Sequence, residues 1–251
     1  MSILRKAVTV VSVLAMSAWS GALQADNHAN AKAAPVEWWS CSFNEGMDMG
    51  DLDEATAAFN KWADKHNDDY VAWIMTPDTF GPGNTTDVGW LGTWPDGNAY
   101  GAQQDAWMAT GRKEFQGFMD AVTCDTHEMA TSLPISAPEE PPENGVVMFS
   151  RCELDDDSDF DDAIAAHRAV AESMGGESGA NSWLFFPGSG STDQGSDDVY
   201  WLVLGFDNYT ELGAAMENYT NGGGYEKVMD ILDDVTECSG TTTWVARRAT
   251  N

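Results

Sequence analysis

The sequence predicts an α+β protein made of two tandem β-α-β-β-α-β units. The first observation behind this prediction is a set of three short motifs that occurs twice, in the same order, at an offset of 111 to 114 residues. The second is that both copies show the same succession of strand-like and helix-like apolar patterns. The paired motifs are residues 36–41 and 147–152, residues 87–91 and 198–202, and residues 122–124 and 235–238. A nearly constant offset across separated motifs indicates duplication of a domain-sized unit.

Each copy begins with an apolar strand, followed by an acidic segment that leads into a helix with apolar residues at helical spacing. Two further strands flank a loop rich in Pro, Gly, Asn and Ser. The first copy is predicted to contain strands 36–43, 70–75 and 88–94, a helix through residues 52–62, a helical region 99–121 and a last strand with Cys124. The second copy is predicted to contain strands 146–154, 182–186 and 199–206, a helix through residues 160–170, a helical region 209–234 and a last strand with Cys238. This order is that of a ferredoxin-like unit.

Composition divides the chain into five segments. Residues 1–25 carry two basic residues, an apolar run and a small-residue exit, which predict a secretory signal peptide cleaved after Ala25 and a periplasmic or secreted protein. Residues 26–35 are small and polar and are expected to form a flexible leader. Residues 134–145 contain four prolines and are predicted to be a linker. The two units are therefore expected over residues 36–133 and 146–251.

The chain is strongly acidic, with 41 Asp and Glu against 12 Lys and Arg. Signal cleavage would remove two basic residues and no acidic ones, and would change the net charge from −29 to −31. Such a surface repels nucleic acid and anionic lipid, so neither is expected as a partner. Intrinsic disorder is excluded because 43% of the residues are hydrophobic and 11 are tryptophan.

Four cysteines in an exported chain predict two disulfides. One cysteine lies near the start and one near the end of each copy, and equivalent positions should form equivalent bonds. The duplication therefore selects Cys41–Cys124 and Cys152–Cys238 among three possible pairings. In a ferredoxin-like unit the first and last strands are antiparallel neighbours, which places these cysteines opposite one another.

The duplicated units resemble the tandem dimeric α/β-barrel proteins, in which two ferredoxin-like units press their sheets together. The resemblance rests on element order and duplication over nearly the whole mature chain. It implies an intrachain dimeric α/β barrel. Relatives in that superfamily include cofactor-free monooxygenases, haem-handling proteins and proteins without a known reaction.

Two local features depart from a simple repeat. Residues 221–224 (Asn-Gly-Gly-Gly) should break the second helix of the second copy, whereas the first copy has only Thr110-Gly111 there. The loops at residues 76–87 and 187–198 are longer than a hairpin needs. They are interpreted as solvated insertions, with a functional role, such as protein interaction, as the alternative.

Four residues are candidates for a ligand site: Trp62, Trp90, His167 and Trp201. Trp90 and Trp201 fall at matching places in the strand-three motif and could line a cavity for a flat apolar ligand, although core packing explains them as well. His167 falls on the inward stripe of its helix, where the first copy carries Phe59. A hydrogen-bonded core histidine is the favoured interpretation, and ligation of haem iron is the minority one.

Other titratable groups give weaker indications. Trp62 lies on a helix with Asn60 and His66, a loose parallel to the Asn, Trp and His of related monooxygenases. His127 is expected at a surface or interface. The acidic run 155–162 lacks the glycine and glutamate of an EF-hand loop and is interpreted as a helix cap, so no metal site is predicted.

The sequence therefore predicts an exported, disulfide-stabilised pseudo-dimer that binds a small apolar or aromatic molecule or serves as a non-catalytic module. A cofactor-independent monooxygenase or haem-handling protein is the first alternative. A protein-interaction module that uses the long loops is the second. No cofactor is predicted, and haem is the one cofactor considered as an alternative. The sequence does not predict the oligomeric state beyond the pseudo-dimer.

Overall fold

The computed structural model describes residues 32–66, 69–138, 140–174 and 180–250. The expected signal peptide and residues 26–31 of the expected leader lie outside them. The elements are β1 (Ala34–Phe43), α1 (Met49–His66), β2 (Val71–Thr79), β3 (Val88–Thr93), α2 (Gly97–Thr110), α3 (Arg112–Ala121), β4 (Val122–Ser136), β5 (Asn144–Leu154), α4 (Phe160–Met174), β6 (Asn181–Pro187), β7 (Val199–Phe206), α5 (Tyr209–Asn221), α6 (Gly224–Leu232) and β8 (Thr236–Arg248). No helix in these ranges has the length and hydropathy needed to span a bilayer.

The eight strands form one closed antiparallel barrel in the order β1-β3-β2-β8-β5-β7-β6-β4. Each copy contributes four adjacent strands, β4-β1-β3-β2 from the first and β8-β5-β7-β6 from the second. Pairing of β2 with β8 and of β4 with β6 joins the two sheets. The predicted fold of two ferredoxin-like units combined into one barrel is therefore confirmed.

Apolar side chains from both units fill the barrel interior. At its centre the Trp38 ring lies edge-on to Trp244 at 5.1 Å and against Phe149 at 5.6 Å between ring centroids. The position of the Trp38 ring depends on the absence of a side chain at Gly89 of the neighbouring strand, because a Cβ there would lie 2.4 Å from the indole. The helices cover the outer faces of the two sheets, so each unit has a separate core between its helices and its strands.

Both predicted disulfides are confirmed. Cys41–Cys124 and Cys152–Cys238 each join directly paired residues of the first and last strands of a unit. The bonded cysteines are 83 and 86 residues apart, for which the chain-entropy model gives about 4–5 kcal/mol each as an upper figure. Such bonds are typical of proteins that fold outside a reducing cytoplasm.

The expected match between Trp90 and Trp201 is wrong. Trp90 pairs with Trp39, two residues from the pair formed by Cys41 and Val88. In the second unit the residue opposite Cys152 is Tyr200, so Trp201 is only one residue from the equivalent pair. Successive residues of a strand point to opposite faces, and a one-residue shift therefore places Trp90 on the helix side and Trp201 on the barrel interior side.

His167 does not correspond to Phe59 either. Asp48 caps α1 by accepting from the backbone N–H of Gly50, and Asp159 caps α4 in the same way from Asp161, which fixes the register of the two helices. His167 then corresponds to Thr56, which is also buried. The capping interpretation of the acidic run at 155–162 agrees with these hydrogen bonds.

The helical region after the third strand is broken in both units. Asn221 ends α5 and Gly224 begins α6, as the glycine run predicts. In the first unit α2 ends and α3 begins around Gly111, although the sequence offers only one glycine there. A Cβ at Gly111 would lie 2.1 Å from the Trp107 ring, so this position requires glycine.

The strands extend further into the proline-rich segment and the leader than the sequence predicts. β1 begins at Ala34, β4 continues through Ser136, and β5 begins at Asn144. Pro134 is accommodated at a register shift, where its missing N–H interrupts no regular ladder. Pro141 and Pro142 lie over one end of the barrel, where Trp73 donates its Nε1–H to the Pro142 carbonyl and a cavity of about 180 Å³ lies beneath these prolines.

The loop after β6 is anchored to the barrel. Gly188 donates its backbone N–H to the Met129 carbonyl of β4, and the Ser189 carbonyl accepts from the Met129 N–H. Asp193 accepts two hydrogen bonds from the Arg151 guanidinium on β5 at 3.2 Å each. Gly190 has φ +89° and sits so close to β4 that a Cβ would lie 2.2 Å from the His127 carbonyl oxygen. Most residues of this loop are exposed, as expected for a solvated insertion, although the loop is anchored along β4. A functional role for the loop stays a prediction.

Candidate ligand cavity of the first unit

A cavity of about 250 Å³ lies between the outer face of the first sheet and helices α1, α2 and α3. Its apolar wall includes Leu52, Phe59, Val88, Trp90, Trp107 and Phe118. These side chains come from β3 and from all three helices, so the fold of one unit is enough to form the cavity. Its size is just below the roughly 300–1,000 Å³ of pockets that hold drug-sized ligands.

The cavity opens between α2 and α3. Met108, Phe115 and Met119 belong to its wall and are 81%, 43% and 37% exposed. The helix break at Gly111 lies between Met108 and Phe115. Flexible methionine side chains at an opening can repack around ligands of different outline.

The inner end of the cavity is polar and centred on Glu37, which is only 9% exposed. Its Oε2 accepts hydrogen bonds from Trp39 Nε1 and from His127 Nε2, both at 3.0 Å. Its Oε1 accepts from the Tyr70 hydroxyl at 2.5 Å, and that hydroxyl in turn accepts from Trp90 Nε1 at 2.6 Å. The imidazole of His127 lies flat on the Trp39 indole, with 3.5 Å between ring centroids.

This network stabilises a carboxylate in an apolar setting. Burial without partners would disfavour the charged form, whereas three N–H or O–H donors compensate for the lost hydration. A carboxylate offers about four acceptor sites, and three donors from the described residues occupy three of them. Glu37 can therefore accept one further hydrogen bond from a molecule in the cavity.

The second unit fills the corresponding space with its own side chains. The register of the disulfide-bonded strands places Tyr200 where the first unit has Val88, and the helix caps place His167 where the first unit has Thr56. The Tyr200 ring is fully buried and packs edge-on against His167 at 5.6 Å between centroids. Two large side chains thus stand where the cavity-bearing unit has two small ones.

The four candidate ligand residues do not form one site in the structure. Trp90 lines the cavity and belongs to the Glu37 network. Trp62 is buried behind the wall, where its ring packs on Trp107 and its Nε1 donates to Thr110 Oγ1 at 2.9 Å. His167 and Trp201 lie in the second unit, on opposite faces of its sheet. A ligand role for any of them remains a prediction.

Sequence reasoning missed Glu37 and Tyr70, and it placed His127 at the surface. The surface placement agrees with the structure, because the His127 side chain is 42% exposed. Its ring also borders the cavity, where it stacks on Trp39 and hydrogen bonds to Glu37. One signal was present in the sequence. Glu37 alternates with Trp39 and Cys41 along β1. A charged residue therefore lies on the same face of the strand as the disulfide, which is the face covered by the helices.

His167 is the end of a buried hydrogen-bond chain in the second unit. Tyr200 donates to Thr236 Oγ1 at 3.1 Å, and Thr236 donates to the Glu153 carbonyl at 2.9 Å. His167 Nε2 lies 2.8 Å from the Tyr200 hydroxyl, which leaves the oxygen to accept and Nε2 to donate. Burial lowers the pKa of His167 from 6.5 to about 4, and burial raises the pKa of Tyr200 to about 12 despite the opposing hydrogen bond with Thr236.

Haem does not fit the cavity of the first unit. His66, His127 and His167 each form a hydrogen bond through one ring nitrogen, and such a bond does not prevent the other nitrogen from binding a metal. Among these three histidines only His127 reaches the cavity wall, with its ring flat against Trp39. The cavity is also smaller than the range for drug-sized ligands, and a macrocycle is larger than those.

Comparison with known proteins gives similarity in structure but not in sequence. No protein-family model and no curated protein matches the chain. A "putative monooxygenase" from Lactobacillus acidophilus NCFM superposes with a TM-score of 0.54 at 12% identity, covering 87% of this chain and 94% of that one. A "putative monooxygenase" from Fusobacterium nucleatum gives 0.56 at 9% identity, with 87% and 92% covered.

A mutant chlorite dismutase from Candidatus Nitrospira defluvii gives a TM-score of 0.50 at 8% identity, covering 86% of this chain and 92% of that one. Identities this low establish the fold and carry no function with them. The long coverage of both chains shows that the whole two-unit architecture is shared. The fold is a dimeric α/β barrel formed within a single chain.

Proposed function

We propose that this protein binds a small, flat, uncharged molecule in the cavity of the first unit. The observation that supports this most strongly is the Glu37 carboxylate at the end of an aromatic cavity, with one acceptor position unused by the described residues. Apolar pockets with a few convergent polar groups are the usual form of small-molecule sites.

The chemistry of the wall limits the ligand. Aromatic side chains on several sides favour a planar ring system. Glu37 favours a ligand with an O–H or N–H donor and disfavours a carboxylate or phosphate, because an anion would be brought close to a buried negative charge. The net charge of −29 opposes anions at longer range as well.

Isothermal titration calorimetry with three two-ring probes tests this proposal. 1-Naphthol carries a neutral O–H donor, naphthalene has no polar group, and 1-naphthoate is an anion of the same ring system. We expect 1-naphthol to bind most tightly, naphthalene more weakly by about 1.5–3 kcal/mol for the lost hydrogen bond to a charged acceptor, and 1-naphthoate least. Equal affinity for all three, or a preference for 1-naphthoate, would contradict the role given to Glu37.

Two variants locate the binding. Val88→Tyr introduces the side chain that fills the equivalent place in the second unit, so it should abolish 1-naphthol binding. Glu37→Gln keeps the size of the side chain but removes the charge, and should reduce discrimination against 1-naphthoate. Trp201→Phe, on the barrel interior side of the other unit, is the control and should bind as the native protein does. Unchanged binding by Val88→Tyr would exclude this cavity as the site.

A second candidate function is oxygen-dependent conversion of a bound phenol without a cofactor. The same carboxylate supports it, because a buried acceptor next to a ligand hydroxyl can act as a base. Oxygen uptake in the presence of 1-naphthol, lost in Glu37→Gln but kept in Trp201→Phe, would favour this candidate. Binding of 1-naphthol without oxygen uptake would contradict this second candidate and would support the binding function only.

We also propose that the chain acts outside the cytoplasm after signal cleavage. The two disulfides support this placement. Amino-terminal sequencing of the protein from its own host should give Asp26 as the first residue. A mature chain that begins at Met1 or Ser2 would contradict export by a cleaved signal.

A further inference from the structure

The second unit brings together two sulfurs and one imidazole. Single ligand atoms of Cys152, His167 and Cys238 all lie within 4.8 Å of one another. Cys152 and His167 are buried, whereas Cys238 is only partly buried on β8. The first unit has the equivalent disulfide but carries Thr56 in place of His167, and the Thr56 hydroxyl donates to the Leu52 carbonyl at 2.8 Å. The cluster is therefore a property of one unit alone.

The hydrogen-bond chain prepares His167 as a ligand. Thr236 donates to the Glu153 carbonyl, so the Tyr200 hydroxyl donates to Thr236 and accepts from His167 Nε2. The proton of the neutral imidazole is thereby held on Nε2, and Nδ1 keeps its lone pair. Histidines that bind metals commonly donate their other ring N–H to an oxygen in this way, which fixes the tautomer and the ring orientation.

We propose that reduction of Cys152–Cys238 converts this cluster into a Cys₂His site for a thiophilic divalent cation such as Zn²⁺. A dithiol supplies two electrons and two protons, the S–S bond breaks to give two thiols, and the dithiol becomes a disulfide. The cation then forms two metal–sulfur bonds and one metal–nitrogen bond, and two thiol protons pass to solvent. Transfer of two electrons from the two thiolates to an external disulfide, which takes up two protons and becomes a dithiol, re-forms the Cys152–Cys238 bond and releases the cation.

The geometry requires only local movement. With Zn–S near 2.3 Å and Zn–N near 2.0–2.1 Å, tetrahedral ligand atoms lie roughly 3.5–3.8 Å apart. The three atoms are already within 4.8 Å of one another, and β5 and β8 stay paired through their backbone hydrogen bonds. The partly exposed side at Cys238 leaves a fourth position for water.

Cobalt(II) is the probe for the first experiment, because thiolate ligands give it a strong near-ultraviolet charge-transfer absorption. The protein is reduced with a phosphine without oxygen and titrated with Co²⁺. We expect one equivalent per chain with this absorption, the same for the variant Cys41→Ala/Cys124→Ala, and no such absorption for Cys152→Ala/Cys238→Ala. An identical spectrum from Cys152→Ala/Cys238→Ala would overturn the proposal, as would no charge-transfer band in the reduced native protein.

A second readout remains informative if a variant folds poorly. Reduced native protein is treated with N-ethylmaleimide with and without Zn²⁺, and the modified cysteines are identified by mass spectrometry. Zn²⁺ should slow alkylation of Cys152 and Cys238 and leave Cys41 and Cys124 unchanged. Tyr200→Phe, which removes the acceptor for His167 Nε2, should weaken Co²⁺ binding about 10- to 100-fold. Alkylation of Cys152 and Cys238 at the same rates with and without Zn²⁺ would overturn the proposal.

Discussion

Replacement of His167 by Gln should change how the stability of the protein depends on pH. The imidazole is buried in the second unit with Tyr200 as its hydrogen-bond partner, and burial lowers its pKa from 6.5 to about 4. A lowered pKa means that the folded state holds the neutral ring. The unfolded chain takes up a proton near pH 6.5, whereas the folded chain does so only near pH 4.

The magnitude follows from the size of that shift. The difference of about 2.5 pKa units at 1.36 kcal/mol per unit corresponds to roughly 3 kcal/mol. This stability is present above about pH 6.5, because the ring is neutral in both states there. It is lost as the pH falls from about 6.5 to about 4, since only the unfolded state gains the proton in that window.

Urea unfolding with both disulfides intact measures the effect. The free energy of unfolding is determined at about pH 7.5 and about pH 4 for the native protein and for His167→Gln, followed by tryptophan fluorescence. The many carboxylates contribute equally to both proteins, so the difference between them isolates the histidine. We expect the native protein to lose about 3 kcal/mol more than His167→Gln over this range. An equal loss in both proteins would refute the assignment of a neutral, buried His167.

Glycine substitutions give two further matched tests, read as changes in thermal unfolding temperature. Gly111→Ala should destabilise because its Cβ would overlap the Trp107 ring, whereas Gly101→Ala, within α2 with open space around its Cβ, should stabilise by roughly 0.5–1 kcal/mol. Two alanines with the same effect would contradict the steric origin of the helix break. Gly190→Ala and Gly195→Ala both place a side chain at positive φ, but only Gly190 lies against a carbonyl oxygen of β4. Gly190→Ala should therefore cost more, and equal costs would show that the loop does not depend on that contact.

The sequence predicted the duplicated units, the barrel and both disulfides because those follow from patterns that repeat along the chain. The shift in strand three was not predictable in the same way. Asp87 and Asp198 begin similar motifs, but the offset between structurally equivalent residues grows from 111 at Cys41 and Cys152 to 112 at Val88 and Tyr200. A change of one residue reverses every side chain of a strand. Asp96 and Asn208 are the N-caps of α2 and α5, the helices that follow strand three in the two units. They are 112 residues apart, which is the offset that the strand pairing requires.

The site was harder to predict than the fold because its polar residues are far apart in the chain. Glu37 lies on β1, His127 lies on β4 and Tyr70 lies directly before β2, so the three residues meet only when the sheet forms. Each of them has an ordinary interpretation when considered alone. The cavity itself depends on Val88 being small where the second unit has Tyr200, a difference that the shifted motif match concealed.

The most direct test of the proposed binding function is a crystal structure of the protein grown with 4-bromo-1-naphthol. The bromine gives an anomalous signal that locates the ring independently of the model of the protein. We predict one bromine peak in the cavity of the first unit, with the naphthol oxygen within hydrogen-bond distance of Glu37. A bromine peak elsewhere with this cavity empty, or a naphthol oxygen turned away from Glu37 toward the opening at Met108, would contradict the proposal.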